Sequence, residues 1–497
     1  MLASALMASS APAYAQSETA PTLPQAPVSP VDLVALLRGE PGGLTADGVA
    51  QAAIQTAPSI AQSRAVLAQS RAGAAEAYLA FFPRFEVTAR YTRLSEIQQA
   101  SLSAPIPQSQ IDQLRALIAT VPDASSRTLF GINLDAQLQL ANLRFPVLLN
   151  QFSLGGTLSY PVSDVFLTVL PAYEGTERLV DASRAQLLAR TAEVAQQARE
   201  AFYNYARARA AVEVARATVA LIEAQERVVQ ANVTAGTVAQ VDLLSLQAQR
   251  ARAEVAVTQG EGGLAAAAEA LRTLLHDRSL GAGGSIAIGE DLMTAPDEVA
   301  GSEDELVHFA IDHRPEAEAL RALLHARQRS IEVADAMHWP HLVVSGTLSF
   351  DNPSQRIFPQ QERFVDTWSL SAILTWSPND FFVAEQRLAS AHAQQDQTAA
   401  DLASFEDALR MQVAAARTAY RVARASLVAA QAGILAAEES VRVRSEQARL
   451  GTGLVTDLMT ANATLAQAQL DLVTAAIGAH IAHAQLERAI GADGPYE

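Results

Sequence analysis

The same short turn is written twice in this chain. GTVAQVDLL starts at Gly236 and GTGLVTDLM at Gly451. Gly236 and Gly451 are separated by the same interval as Asp242 and Asp457, and each turn runs on into an Ala/Leu/Gln-rich amphipathic segment. The segments ahead of the turns keep the same step. Val194, Ala198, Ala201, Tyr205, Ala208 and Val212 advance by alternating fours and threes, and Leu409, Val413, Ala416, Tyr420, Ala423 and Leu427 repeat that advance position for position. A seam of this period over many turns belongs to helices packed nearly parallel. Alanine dominates it, which permits close approach. An internal duplication explains the match, and a duplicated chain must build one architecture twice.

Two proline pairs mark where each repeat opens. Pro58 and Pro83 have the same spacing as Pro315 and Pro340. Each pair brackets an Ala-rich segment of helical period, as expected of residues that start a helix and stop one. Behind the second proline the period changes to two. FEVTARYTRL (85–94), FSLGGTLSY (152–160), HLVVSGTLSF (341–350) and TWSLSAILTW (367–376) alternate apolar and polar residues, with aromatics near their ends. Such alternation predicts strands. Ten residues span about 33 Å, or about 23 Å at a 45° tilt, close to the apolar band of a membrane β-barrel. Four strands cannot lie open in lipid, because their edge N–H and C=O groups would have no partner; they must close with copies of the same chain. The segments 173–232 and 381–449 predict helices about 90–100 Å long.

The stretch from Pro83 to Asp164 is twice as long as its counterpart from Pro340 to Asp380. The excess falls within 95–151. It holds a possible short helix, IDQLRALIATV, and a further alternating run, INLDAQLQL, in which the second strand has an alternative start. This insertion is assigned to an extracellular loop or plug.

Charge and motifs remove several classes of function. A net charge of −17 argues against nucleic-acid binding, and the chain has no cysteine for disulfides or thiolate metal sites. No run of 18 apolar residues predicts a transmembrane helix. The opening MLASALMASSAPAYAQ, with Ala13-Tyr14-Ala15 as a cleavage site, reads as a signal peptide over 1–15 with a truncated or misassigned start, followed by a Pro-rich leader over 16–43. No catalytic motif or phosphate-binding loop is present. His480 with His483, and His338 with His341, have metal-compatible spacing, but structural roles are expected without clustered carboxylates. No cofactor, metal or catalytic residue is expected.

The ordered series LTADGVAQAAIQTAPSI and AIDHRPEAEAL, FFP and HWP, SYPVSD and SPND, then GTVAQVD and GTGLVTD, resembles the TolC family of outer-membrane channels over about 44–490. The resemblance implies a membrane α+β fold in a homotrimer, a twelve-stranded outer-membrane β-barrel with four strands per chain, continuous with a long periplasmic α-helical barrel. It divides the chain into a first repeat (44–276), an equatorial linker (277–303) read as a structure-poor surface belt, a second repeat (304–490) and a tail (491–497). The implied function is the exit duct of a tripartite efflux pump or type I secretion system. Its partners would be a periplasmic adaptor, an inner-membrane transporter and outer-membrane lipid, and no nucleic acid.

On that resemblance the turns are the periplasmic tips. Gly236, Thr237, Val238 and Ala239, with Gly451, Thr452, Gly453 and Leu454, would meet the adaptor. Asp242 and Asp457 would line the gate, and Leu454 and Val455 would supply an apolar constriction. Each aspartate also suits the first turn of its returning helix, where the macrodipole favours negative charge. Phe85, Tyr91, Phe152, Tyr160, Phe350, Trp368 and Trp376 are the expected membrane-interface aromatics. The chain departs from the family at Gly453, Ala448 and Thr460, where the best-known members carry Arg, Tyr and an acidic residue, so the lock that closes the gate is expected to differ. A soluble periplasmic coiled-coil scaffold without channel activity is the alternative.

Overall fold

A computed structural model gives the structure of the protein and describes residues 37–96, 106–141, 148–281, 286–450 and 452–492. The expected signal segment and most of the leader lie outside the described residues. The chain forms two compact units: Met1–Val66, Arg184–Ala319 and Leu402–Glu497 make one, Leu67–Ser183 and Leu320–Asp401 the other.

The second unit carries a sheet. Helix α2 (Pro58–Leu79) ends ahead of Pro83 and α8 (Pro315–Asp335) ahead of Pro340, since proline ends the hydrogen-bond ladder of a helix. The strands β1 (Arg84–Arg93), β2 (Asn150–Pro161), β3 (His341–Asn352) and β4 (Val365–Thr375) follow, against expected spans of 85–94, 152–160, 341–350 and 367–376. They pair antiparallel in chain order. The register sets Phe85 against Leu158, Tyr91 against Phe152, Leu154 against Phe350 and Leu348 against Trp368. Every apolar residue named there falls on one face. The other carries Arg84, Glu86, Thr88 and Arg90, with hydroxyl contacts between strands at Thr157–Thr347 (3.4 Å) and Ser345–Ser371 (2.9 Å).

The insertion forms a helical hairpin, α3 (Gln108–Ala119) and α4 (Ala124–Ala141), bridged by Arg115 and Asp135 at 3.5 Å. Helix α3 takes up most of IDQLRALIATV. The run INLDAQLQL is helical, which corrects its reading as an alternating segment. Residues 132, 136 and 140 are also one helical turn apart in sequence, as are 134 and 138, so period two over this short run equally describes two stripes of a helix. Leu134 is buried, while Ile132 and Leu140 are exposed.

In the first unit, α5 (Leu170–Thr234) and α9 (Phe381–Arg449), each from its entry into that unit, carry the duplicated seam. They reverse into α6 (Gln240–Leu275) and α10 (Val455–Ile490). The seam is the core: Val194, Ala198, Tyr205 and Val212 are buried on α5, and Leu409, Val413, Tyr420 and Leu427 on α9. Helix α5 also buries a second stripe, including Ala195, Phe202, Ala206 and Val214. Helix α9 has no such second buried stripe among the described residues.

The duplication extends to single bonds. Tyr205 accepts the Ile286 N–H at 2.9 Å and donates to its carbonyl at 3.3 Å; Tyr420, its counterpart in the second repeat, donates to the carbonyls of Pro296 and Asp297. One turn further, Arg209 pairs with Glu40 (3.3 Å) and Arg424 with Glu298 (3.1 Å). The linker is thereby pinned by equivalent side chains of both repeats. Its reading as a surface belt is corrected over 286–292, which is largely buried although it holds no helix or strand beyond an isolated Leu44–Ile288 bridge. There it bonds to 37–44 (Leu44 N–H to Ala287 at 2.8 Å, Leu292 N–H to Leu37 at 2.8 Å), and Ile286, Ile288 and Leu292 enter the main hydrophobic cluster. Two short helices open the repeats, α1 (Ala46–Thr56), capped by Thr45, and α7 (Glu303–His313), whose Ser302 and Glu305 form a capping box.

The end of α10 is held by buried charge. Arg314 donates to the carbonyls of Arg488 (3.0 Å) and Ala489 (3.3 Å) and to Glu316 (2.9 and 3.1 Å), which also accepts from Arg488. Burial alone would raise the Glu316 carboxyl, but the Arg314 hydrogen bonds and the Arg488 charge outweigh it and hold the group below the usual value of 4.5. A lowered carboxyl contributes stability above its unfolded value and loses it as pH falls through the folded one. Glu316→Gln leaves Arg314 buried beside a neutral partner. We expect a loss of roughly 2–3 kcal/mol at pH 7, less than for a fully enclosed pair because Glu316 keeps some solvent. Helical melts of variant and wild type should converge as pH drops below about 4; parallel curves across that range would remove Glu316 from the acid limb.

Candidate conduit surfaces and helix-reversal turns

Among the described residues the apolar face of the sheet is largely uncovered by its own chain, with Phe364 of the β3–β4 connection meeting Phe152 near one end (6.3 Å between ring centroids). Trp368 and Leu370 on β4 are 75% and 73% exposed, and Phe85, Val87 and Tyr91 on β1 are exposed as well. The aromatics fall in two bands. Tyr91, Phe152, Phe350 and Trp368 lie toward the end where β1 leaves for the insertion and β3 turns into β4; the Tyr91 and Phe152 rings meet at 4.8 Å. Phe85, half-buried Tyr160 and Trp376 lie at the other end, and the Trp376 indole donates to the His338 carbonyl at 3.3 Å. Along β1, from Phe85 to Tyr91, the bands are about 20 Å apart. In soluble proteins an apolar surface of this extent is covered; where it stays bare and banded by aromatics it faces lipid. Strands β1 and β4 each have one neighbour, and no pairing among the described residues joins them to each other.

The two turns are built alike. Gly236 has φ +78, its N–H bonds the Val233 carbonyl at 3.0 Å, and the Thr237 N–H reaches back to Asn232 at 3.0 Å. These are the paired bonds of a Schellman end, which needs the left-handed region that glycine enters at little strain. The Thr237 hydroxyl donates to the same Asn232 carbonyl at 3.0 Å. In the second turn Thr452 repeats both contacts on the Gln447 carbonyl, at 3.0 Å from N–H and 3.3 Å from the hydroxyl. That accounts for threonine after glycine in both. Gly451 lies outside the described residues. Gly453 is required for a different reason: a Cβ there would stand 2.8 Å from the Gln447 Cβ and 3.2 Å from its carbonyl carbon.

Around the turns the predicted residues separate. Thr237, Ala239 and Leu454 are exposed, and Val238 is half-buried. Val455 is buried with Ile222, Val229, Leu243 and Leu246, so it holds the two hairpins together and does not line an opening. This corrects its expected place in an apolar constriction. Asp242 and Asp457 occupy the first turns of α6 and α10, whose N-cap residues Ala239 and Leu454 make no side-chain cap. Asp457 pairs with Arg444 at 3.1 Å, while no ion pair to Asp242 occurs among the described residues. Sequence reading missed Arg444 because its equivalent in the first repeat is Val229. It also missed the buried Gln225–Asn462 amide pair (3.0 Å) and the exposed apolar flank formed by Val241, Leu244 and Leu450.

The histidine pairs go to separate partners. His480 is buried 3.7 Å from Glu290, and burial lowers its pKa despite that carboxylate; His483 lies 3.6 Å from Glu487. His338 bonds the Asp335 carbonyl at 3.1 Å and His341 faces Asp164 at 2.5 Å.

The glycines make a paired test. Gly236→Ala places a side chain in the left-handed region with open space around it and should cost about 1 kcal/mol. Gly453→Ala collides with the Gln447 Cβ and crowds the backbone beside it, and should open the second turn, read as faster amide exchange over 446–456; equal protection in both variants would contradict the distinction.

Residues 306–492 match the family described as Outer membrane efflux protein. No curated protein matches the sequence. Among solved structures, the fold matches the outer membrane protein VceC from Vibrio cholerae at a TM-score of 0.70 and 16% identity, covering 91% of this chain and 97% of that one. It matches the CmeC outer membrane channel of Campylobacter jejuni at 0.68 and 14%, covering 90% and 88%. The open state of the Neisseria gonorrhoeae MtrE outer membrane channel matches at 0.68 and 16%, again covering 90% and 88%. The second repeat thus matches the outer membrane efflux protein family, and the fold is shared along nearly the whole length with outer-membrane channels of known structure.

Proposed function

We propose that this chain is the outer-membrane exit duct of a tripartite export system, a passive conduit without an active site, with its helices in the periplasm. The observation that carries the reading is the sheet: one apolar, aromatic-banded face in register across four strands, between two unpaired edges. Lipid tolerates the face but not the edges. Pairing β4 of one copy with β1 of the next would remove every edge, and three copies would give the twelve strands that the family resemblance implies. Helix α9 supports the same closure. Opposite its buried seam it exposes Met411, Val422, Val428, Leu435 and Val443, all close to a second heptad line, as a helix does when a neighbouring copy lies against it. A soluble scaffold would leave both surfaces in water.

The turns would be the periplasmic gate and the docking surface for an adaptor, with Val241, Leu244, Leu450 and Leu454 as its apolar contacts. An inner-membrane transporter would supply the energy and choose the substrate. Asp242 and Asp457 would place six carboxylates around the opening of a trimer and favour cations.

Washing membranes with high salt or carbonate should leave the protein in the pellet, and mild detergent should release it; release by salt would support the scaffold. In planar bilayers under a potassium chloride gradient the channel should prefer cations. Asp242→Asn should reduce that preference more than Asp457→Asn, whose charge Arg444 already offsets. An anion preference, or a cation preference unmoved in the double variant, would remove the aspartates from the conduction path.

A further inference from the structure

The two helical hairpins of a copy meet where α5 packs on α10. The Tyr203 and His480 rings lie 5.6 Å apart, Gln485 donates to Glu200 at 2.9 Å, and Gln225 pairs with Asn462 through their amides nearer the turns. Ala210 and Val214 of α5 share a buried cluster with Val473 and Ile477 of α10. Tyr203, Gln225, His480 and Asn462 are buried as well.

Residues one repeat apart occupy equivalent positions, so this joint has an image elsewhere in the chain. The interval from Gly236 to Gly451 carries α5 forward onto α9 and α10 back onto α6. Tyr203, Ala210, Val214 and Gln225 become Thr418, Ala425, Ala429 and Ser440, and all four are exposed. Val473, Ile477 and His480 become Thr258, Gly262 and Ala265, which are exposed too. Asn462 becomes Gln247, half-buried and donating to Glu226 at 3.1 Å. Val422 on the α9 face and Val255 on the α6 face add apolar surface, 60% and 56% exposed. A Cβ on Gly262, or on Gly433 of the α9 face, would meet nothing within 4 Å beyond its own helix.

What is buried within the chain at one joint is thus bare at both halves of its image. A duplicated chain makes the joint once internally and leaves one half open at each end. Halves that differ from each other join head to tail, and such contacts close into a ring when the rotation allows.

We infer that α9 of one copy packs on α6 of the next in the register of the α5–α10 joint, with Thr418 opposite Ala265 and Ser440 opposite Gln247. The inference rests on the closure proposed above and names the helix that covers the bare side of α9. Where the joint within a copy holds Tyr203, Ile477 and His480, its image holds Thr418, Gly262 and Ala265. The helices between copies therefore approach more closely than those within one.

The chain has no cysteine, so introduced thiols meet no native competitor. The full chain carrying Thr418→Cys with Ala265→Cys is purified in detergent, treated with a short bismaleimide and run on a denaturing gel. Covalent dimer and trimer bands are expected, and likewise from Ser440→Cys with Gln247→Cys. Each single variant should stay at the mass of one chain. So should Thr418→Cys with Gln247→Cys, which uses the same faces about 33 Å out of register. Light scattering before treatment reports whether the copies assemble. A trimeric mass without cross-linking by either in-register pair overturns the joint and leaves the closure standing. Cross-linking by a single variant, or equally by the out-of-register pair, overturns the joint too, since like helices would then meet or the register would be lost. A monomeric mass overturns the closure, and the joint with it.

Discussion

The backbone edges of β1 and β4 govern the rest of this molecule. Each presents a row of N–H and C=O groups, beside a face of Phe, Leu and Trp suited only to lipid. Water would satisfy the edges and penalise the face, whereas lipid would accept the face and leave each unpaired group costing several kcal/mol. Neither solvent suits one copy. The proposed pairing between copies would resolve the conflict, and the exposed second stripe of α9 would then become a helix–helix contact. The asymmetry between α5, buried on two sides, and α9, buried on one, follows if α9 borders the neighbouring copy.

Duplication makes this economical. Equivalent tyrosines and arginines of the two repeats clamp the segments that enter them, so one solution for bracing a long helix serves twice. The repeats diverge where their roles differ. Gly453 packs where the first turn has Val238, and Arg444 offsets Asp457 where the first repeat has Val229. The two turns thus share a backbone and differ in charge.

Much of this was legible in the sequence because it depends on period. Heptads, alternation and the proline pairs locate helices and strands without any contact, and register across four strands follows once each strand has one apolar face. The 95–151 insertion was harder to read. INLDAQLQL satisfies period two and a helical four-step at once, and the choice depends on α3 lying alongside. The burial of Ile286, Ile288 and Leu292 was hidden because their partners, 37–44, lie at the end of the leader, where the first repeat begins, and carry no periodic signal. Val455 looked like gate lining on sequence position alone; its neighbours Ile222 and Leu246 come from the other repeat. Asp242 and Asp457 were found through the repeat, whereas Arg444 occurs once and left no such trace.

The central claim is that a single copy is incomplete and that several copies close into a conduit. The most direct measurement is the mass of the detergent-purified protein by light scattering, with the detergent contribution subtracted, joined to conductance of the same preparation in a planar bilayer. The account predicts three chains per particle and discrete conductance steps. A particle of one chain, or a trimer that never conducts with its tips intact or with the two turns deleted, would contradict it.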